Sequence, residues 1–297
     1  MSKYVVTGGS GNVSRPLTEI LLKAGNDVTL ISRNPDNIAG LVKQGATAAI
    51  GDLYDVAFLT ETFEGADGVY LMSPTSWDKA DLKQITKGLA EGFVKAVKAS
   101  NVKNVVFLSS FGAHRLEDAG PISGLGLAEV VLNKLDGVNI LHLRAGYFYT
   151  NLLLSIDLIK TQGIMGNMYI VPDGTFIVVD PEDIAVAAAD ALISGNFKGH
   201  SFKYVVSDLT GTDEIAAAIG KEIGIPDLEW VKFTAADIKS TLLGYGFHDG
   251  AANNYVEMGT TLGKGLLFED FFAGKHKHMG VSIEEYAKKF KAIYNSK

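Results

Sequence analysis

The sequence predicts an α/β protein: a doubly wound parallel sheet followed by a smaller C-terminal α/β domain. Three observations predict it. Short Val/Ile/Leu-rich segments alternate with helix-like segments through the first half, the rhythm of strands buried between two helix layers. The first apolar segment runs into a glycine-rich turn, Thr7-Gly8-Gly9-Ser10-Gly11, with a helix-like stretch directly beyond. After Arg144 the rhythm loosens and no second regular sheet is foreseen.

Strands are expected at Lys3–Thr7, Asp27–Ile31, Ala46–Ile50, Gly68–Leu71, Val105–Leu108 and Asn139–Leu143. Helices are expected between them at Pro16–Ala24, Pro35–Gln44, Val56–Phe63, Lys79–Ser100 and Leu125–Leu135. Such a chain is a Rossmann-type unit, with a nucleotide expected at the C-terminal ends of its strands. Later, Asp180-Pro181-Glu182-Asp183 starts a helix continuing through Ile184–Leu192, with Pro181 suited to its first turn. Thr212–Ile223 reads as helix, Leu228–Phe233 as strand, and Ala235–Leu243 and Ser282–Tyr294 as helices. Gly244–Asn254, rich in Gly, Asn and Asp, reads as a mobile loop or lid base. The domains expected are a dinucleotide-binding unit at 1–150, to which 176–194 returns, and a smaller substrate-binding unit at 151–297.

The 297 residues are 47% hydrophobic and 21% charged, as in a globular protein, and the formal charge of −7 argues against a phosphate-backbone binder. No nucleic-acid contact is expected. No cysteine is present, which excludes disulfides, thiolate nucleophiles and Cys-ligated metals. No apolar run approaches spanning length, and only Met1-Ser2-Lys3 precedes the first strand, so a cytoplasmic protein without membrane contact is expected. Lys275-His276-Lys277-His278 has no nearby third ligand and reads as a solvated turn; no metal is expected.

The glycine turn carries the first chemistry. A turn that opens a helix presents backbone N–H groups at the positive end of its dipole, where an anion binds. Gly8 and Gly9 permit the tight turn, and Gly11 lets a pyrophosphate approach the backbone. Ser10, Asn12 and Val13 complete the expected phosphate cradle, and Ser14 stands where a third glycine usually closes helix on strand. In NAD-binding versions an acidic residue about 20 positions beyond the glycines holds the ribose. Here the second strand ends in Ser32-Arg33-Asn34-Pro35, without a carboxylate. Ser32 and Arg33 offer a hydroxyl and a guanidinium to a 2′-phosphate, so NADP(H) is expected; the competing reading makes Arg33 a solvated loop charge. Asp52-Leu53 reads either as an adenine contact or as a helix cap. Met72, Ser73 and the rigid Pro74 are expected along the cofactor cleft.

The ordered set Thr7-Gly8-Gly9-Ser10-Gly11-Asn12-Val13, Ser32-Arg33-Asn34-Pro35, Gly51-Asp52, Ser109-Ser110, Leu143 through Asn151 and Asp180 through Ala185 resembles the NmrA-like family of atypical short-chain dehydrogenases/reductases. Within that family the chain is most similar to bacterial NAD(P)H-dependent quinone reductases and triphenylmethane-dye reductases. The resemblance implies the same fold and NADP(H) preference. The family also holds nucleotide-sensing regulators without catalysis, so resemblance alone leaves function open.

Short-chain dehydrogenases usually carry Tyr-x-x-x-Lys, where Lys lowers the pKa of the proton-donating Tyr. None of the 11 tyrosines has Lys four residues on. The lysine that plant phenolic-ether reductases use falls at Leu125 or Gly126, and Lys134 lies too far along. Ketone reduction develops an alkoxide and needs a positioned donor. A quinone or cationic dye needs chiefly proximity to the nicotinamide, because solvent can supply any proton. Hydride transfer from NADPH to a small planar electrophile such as a quinone is therefore expected.

Ser109 is placed beside the nicotinamide, with backbone capping as its alternative. His114 is a candidate donor to a substrate oxygen, or a surface histidine. Tyr147, Tyr149 and Asn151 either stack on the planar acceptor or simply pack. Glu129 reads as structural, on a helix face. A non-catalytic sensor of the NADPH/NADP⁺ ratio is the principal alternative, an isomerase or dehydratase lacks a base, and a homodimer is compatible with the sequence.

Overall fold

A computed structural model describes residues 1–274, 276, 277 and 280–297. Its first half builds β1 (Lys3–Val6), α1 (Ser14–Lys23), β2 (Asp27–Ser32), α2 (Ala39–Lys43), β3 (Thr47–Ile50), α3 (Val56–Phe63), β4 (Gly68–Leu71), α4 (Leu82–Ser100), β5 (Asn104–Ser110), α5 (Pro121–Leu132) and β6 (Asn139–Ala145). These strands and β10 (His200–Val205) form one parallel sheet in the order β10-β6-β5-β4-β1-β2-β3. The winding reverses between β1 and β4, and that switch point opens the crevice in which ligands of such sheets bind.

Strand alternation explains the three layers. Tyr4, Val6, Leu30, Tyr70, Val106 and Leu143 point to one face, against Leu17 and Leu21 of α1 and Ile184 and Ala188 of α7 (Pro181–Ser194). Val5, Ile31, Val69, Leu71, Val105 and Ile140 point to the other, against Leu59 and Phe63 of α3 and Leu89 and Phe93 of α4. Successive residues thus feed opposite cores, as the two-residue period requires. Each such fully buried side chain contributes roughly 1.5–3 kcal/mol. The outer strand β3 departs from the expected two-sided burial, with three of its four residues exposed.

Caps account for most shifted helix boundaries. Asp81 accepts from the Gln84 N–H, so α4 begins at Leu82 and not at Lys79. Pro121 takes the first turn of α5, which starts four residues before the expected Leu125. The expected helix Pro35–Gln44 divides into a 3₁₀ turn at Asp36–Ile38 and α2.

The second half corrects three expectations. β10 lies at 200–205, in a stretch with no predicted strand, yet extends the main sheet along β6. Two small sheets form where none was foreseen. One joins β7 (Tyr147–Phe148), β9 (Phe176–Val179) and β11 (Asp208–Thr210); the other pairs β8 (Ile164–Asn167) with β12 (Glu229–Lys232). Of their strands only β12 was expected, within Leu228–Phe233; the others have two to four residues, too short to show a period. Finally, Gly244–Asn254 is no loop beyond Phe247. His248 caps α10 (Asp249–Gly263), and a Cβ on Gly250 would strike the backbone of Ala80. The glycine there serves close packing rather than mobility.

The remaining helices are α6 (Ile156–Gln162), α8 (Thr212–Ile223), α9 (Ala235–Gly244), α11 (Glu269–Ala273) and α12 (Ile283–Ser296). With the small sheets they enclose a separate core around Tyr149, Tyr169, Phe176, Ile215 and Phe290. Lys275 and His278 of the proposed solvated turn lie outside the described residues. His276 leans edge-on against Tyr204, ring centroids 4.6 Å apart.

His142, inside β6, is 2% exposed. Its Nε2 lies 2.8 Å from Asn133 Oδ1, while Nδ1 has no partner to receive a second proton. Burial pushes its pKa down from 6.5 to about 4, against the attraction of Glu129. The unfolded chain therefore takes up the proton more readily than the folded one. The stabilisation is complete above pH 6.5 and is lost as pH falls toward 4, on the order of 3 kcal/mol in total. Urea unfolding across that window is expected to show a shallower pH slope in His142→Gln; an unchanged slope would refute the assignment.

Candidate functional site

At the carboxyl ends of β1 to β4 the connectors form a cleft of about 720 Å³. Thr7 ties its floor together: its hydroxyl donates to Tyr70 O at 3.1 Å and accepts from Met72 N–H at 2.9 Å. Ser14 donates to Thr7 O at 2.7 Å and is buried, closing α1 on β1 as the sequence implied. Gly8 and Gly9 adopt positive φ, +97° and +56°. A Cβ on Gly8 would lie 2.6 Å from Ser14 Oγ and 3.1 Å from Met72 Cγ; one on Gly11 would lie 3.0 Å from Gly8 O. The turn is thus a cradle that side chains would fill, so the residues fit a pyrophosphate at the head of α1.

Gly8, Ser10, Gly11, Ser32, Arg33, Asp52, Leu53 and Met72 all line the cleft. Ser32 donates its proton to Asn34 O at 2.8 Å, so toward the cleft it keeps only lone pairs. Arg33 is exposed on the rim, where a guanidinium can meet a phosphate. Asp52 turns its carboxylate on Tyr54 N–H at 3.0 Å, and the cap of α3 is Asp55 instead. The helix-cap alternative for Asp52 is thereby corrected: it forms a local turn at the cleft wall. Ser73 does not line the cleft, and its buried hydroxyl has no partner. Asn12 and Val13 also stand outside it, Asn12 exposed to solvent and Val13 packed in the core below the turn. Asn37, Tyr54, Thr75 and Ser76 line the cleft unforeseen; they are ordinary connector residues whose role comes only from the sheet beneath them.

Farther along the carboxyl edge, Glu129 of α5 and Arg144 of β6 form a buried pair, 6% and 8% exposed. Arg144 grips Glu129 through Nε–Oε1 at 3.1 Å and NH2–Oε2 at 2.7 Å, and reaches Asp270 of α11 at 2.8 Å. Tyr204 donates to the same Asp270 oxygen at 2.7 Å. The Arg144 guanidinium also lies over the Phe202 ring, 4.0 Å from the centroid. Burial alone would lower the Arg144 pKa, but the hydrogen bonds and charge of Glu129 reverse this and raise it. The pair was legible in part, since Glu129 is the single charged residue of α5 and Arg144 that of β6.

This network changes the role of Ser109. Its hydroxyl, 3% exposed, donates to Glu129 Oε1 at 2.5 Å. A carboxylate only accepts, so the Ser109 proton is committed and cannot be donated to a substrate oxygen. His114 stands in the field of Asp270, Arg144, Arg115 and Glu269, with both ring nitrogens shielded from solvent and unpartnered. Burial lowers its pKa, so the ring is neutral at pH 7 and carries one N–H donor.

Tyr147 lies elsewhere, its ring 4.9 Å from Phe176. Tyr149 packs and does not face the cleft: it is fully buried, stacked on Tyr286 at 4.5 Å, with its hydroxyl on Val281 O. Asn151 is exposed on a 3₁₀ turn.

Residues 8–136 match a family described as NAD(P)H-binding, so the chain carries an NAD(P)H-binding domain. The chain is 24% identical over 270 residues to quinone oxidoreductase 2 of Escherichia coli (strain K12), covering 89% of this chain and 90% of that protein. In fold it is similar to an NADPH-dependent quinone oxidoreductase from Escherichia coli complexed with NADPH, with TM-score 0.77, 22% identity and 96% and 99% of the two chains covered. It is similar also to the Citrobacter sp. triphenylmethane reductase complexed with NADP(H), with TM-score 0.69, 18% identity and 99% and 100% covered. Among the described residues no helix is long and apolar enough to cross a membrane.

Proposed function

We propose that this chain, which carries an NAD(P)H-binding domain, is an NADPH-dependent oxidoreductase of the NmrA-like kind acting on a planar electrophile such as a quinone. One observation carries the reading. A fitted dinucleotide cradle with Arg33 on its rim runs toward a carboxyl edge where the Ser109 proton is locked on Glu129. Such a site orients an acceptor but offers no serine-relayed acid, which suits an acceptor whose reduced oxygen is stable as a phenolate.

The cradle N–H groups hold the pyrophosphate, and Arg33 holds the 2′-phosphate. When bound, NADPH supplies a hydride; a quinone that takes it becomes a hydroquinone monoanion, one proton from water neutralises that anion, and NADP⁺ leaves. Neutral His114, with its one N–H, is the donor assigned to the acceptor oxygen. The non-catalytic sensor draws on the same locked Ser109, since a site without a mobile proton also suits binding alone.

The test follows nicotinamide absorbance with NADPH or NADH and a panel of quinones. Turnover with NADPH favoured over NADH is expected, and Arg33→Glu is expected to cut the preference about tenfold or more, the worth of one charge-assisted phosphate contact. Tight NADPH binding with no turnover on any quinone would establish the sensor instead. Equal affinity of the unaltered protein for NADH and NADPH would remove the Arg33 assignment.

A further inference from the structure

We propose that Tyr54 is the surface on which the adenine of the bound dinucleotide lies, so that the cleft grips its cofactor by the base as well as by the phosphates; this rests on the NADPH reading above.

Tyr54 lines the cleft itself, and it is the only aromatic residue that does. Its place follows from the sheet. The strands run in the order β4-β1-β2-β3 at this end. The glycine turn follows β1, the Ser32-Arg33 tip follows β2, and Gly51 through Tyr54 follow β3. Neighbouring strands stand about 4.8 Å apart, so the third connector lies about 10 Å from the first. With the pyrophosphate at the head of α1 and the 2′-phosphate beside Arg33, the base on that same ribose falls at the β3 connector. Hydrogen bonds tie the three connectors into one wall: Gly9 N–H donates to Ile31 O at 3.0 Å, and Gly51 N–H to Ser32 O at 3.1 Å.

The turn that carries Tyr54 is pinned. Asp52 Oδ1 accepts from Tyr54 N–H at 3.0 Å, and Asp52 O accepts from Asp55 N–H at 3.1 Å. Asp55 then caps α3, accepting from the N–H groups of Ala57 and Phe58 at 3.0 Å each. The side chain is nevertheless 53% exposed. The fold therefore fixes the backbone beneath the ring and leaves the ring uncovered. A platform held in advance loses little freedom when a ligand settles on it.

The charges around the phenol place it toward the cleft. It stands in the field of Asp52 on its own turn, of Lys79 beyond the cleft-lining run Pro74–Ser76, and of Arg33 on the β2 tip. Burial, and then Asp52, raise its pKa against the two cations, so it is a neutral phenol at pH 7. A neutral ring puts no charge against the nearby phosphates, and its face stacks on a purine without reading the purine's edge. The labour is thus divided. Tyr54 holds the base that NADPH and NADH share, while Arg33 holds the phosphate that separates them.

The experiment uses the whole protein with the variants Tyr54→Ala and Tyr54→Phe, and calorimetric titration with 2′,5′-ADP, NADPH and NADH. Tyr54→Ala is expected to weaken all three about tenfold or more, within the range of one base–aromatic stack. The preference for NADPH over NADH is expected to stay as it is, in contrast to Arg33→Glu. Tyr54→Phe keeps the ring and is expected to bind within about twofold of the parent. Both variants are expected to keep their Tm within about 2 °C, because the side chain is largely exposed. If no quinone is reduced while 2′,5′-ADP affinity falls as stated in Tyr54→Ala, the oxidoreductase reading fails and the Tyr54 assignment stands. Unchanged 2′,5′-ADP affinity in Tyr54→Ala would overturn the proposal, as would failure of the parent to bind 2′,5′-ADP. An equal loss in Tyr54→Phe would also overturn it, since the contact would then belong to the hydroxyl and not to the ring.

Discussion

Gly8→Val is expected to weaken NADPH binding about 100-fold or more while the protein stays folded. Gly8 holds φ at +97°, where a β-branched residue is strained by about 1–3 kcal/mol. Relief by side-chain movement is blocked, because the Cβ position lies 2.6 Å from Ser14 Oγ. That hydroxyl is pinned by its 2.7 Å bond to Thr7 O. The chain can accept valine only by opening the turn, which breaks the Gly9 N–H bond to Ile31 O and the Gly11 N–H bond to Gly8 O that hold the cradle in shape. Together these effects amount to about 3 kcal/mol, the 100-fold stated. Fluorescence titration of NADPH, with circular dichroism to follow the fold, checks it. A variant binding NADPH within threefold of the parent would show that the cradle does not hold the cofactor.

Arg144→Ala is expected to destabilise the protein by about 3–5 kcal/mol, the cost of leaving a buried partner charge uncompensated. Glu129 would remain 6% exposed with only Ser109 to answer it, and Asp270 would lose its link to the sheet. The unfolding midpoint should drop by something on the order of 10 °C. The double variant Glu129→Leu with Arg144→Met is expected to be more stable than Arg144→Ala, because no fully buried charge is left without its partner and only the part-exposed Asp270 loses its cation. Urea unfolding of the two variants and the parent decides it. A loss below about 1 kcal/mol in Arg144→Ala would mean that water reaches Glu129 and the network is not a closed one.

Much of the cofactor half was legible in the residues. The cradle, the Ser32-Arg33 tip and the Asp52-Leu53 wall all line the observed cleft, because in a βαβ unit the residues just after a strand necessarily fall at one edge of the sheet. Legibility ended where a residue's neighbours lie far off in the chain. Ser109 was expected beside the nicotinamide or capping backbone, and instead its proton goes to Glu129, twenty residues on. The Val13 side chain turns into the core from the head of α1, a placement set by the helix and the sheet it packs on. Gly244–Asn254 looked like a loop throughout, whereas from Asp249 on it is the start of α10, with Gly250 packed closely on Ala80.

By itself, then, the sequence determined the layered α/β architecture, the dinucleotide cradle and the absence of a tyrosine–lysine pair. Each is written in local patterns: alternation of period two, glycines at a turn, spacing of four along a helix. Only the tertiary structure decided that Arg144 binds Glu129 and Asp270, and that Tyr204 joins them on the same Asp270 oxygen. Those arrangements join residues up to 126 positions apart. No local pattern encodes such a pairing, since it exists only once the sheet and the C-terminal helices have packed together.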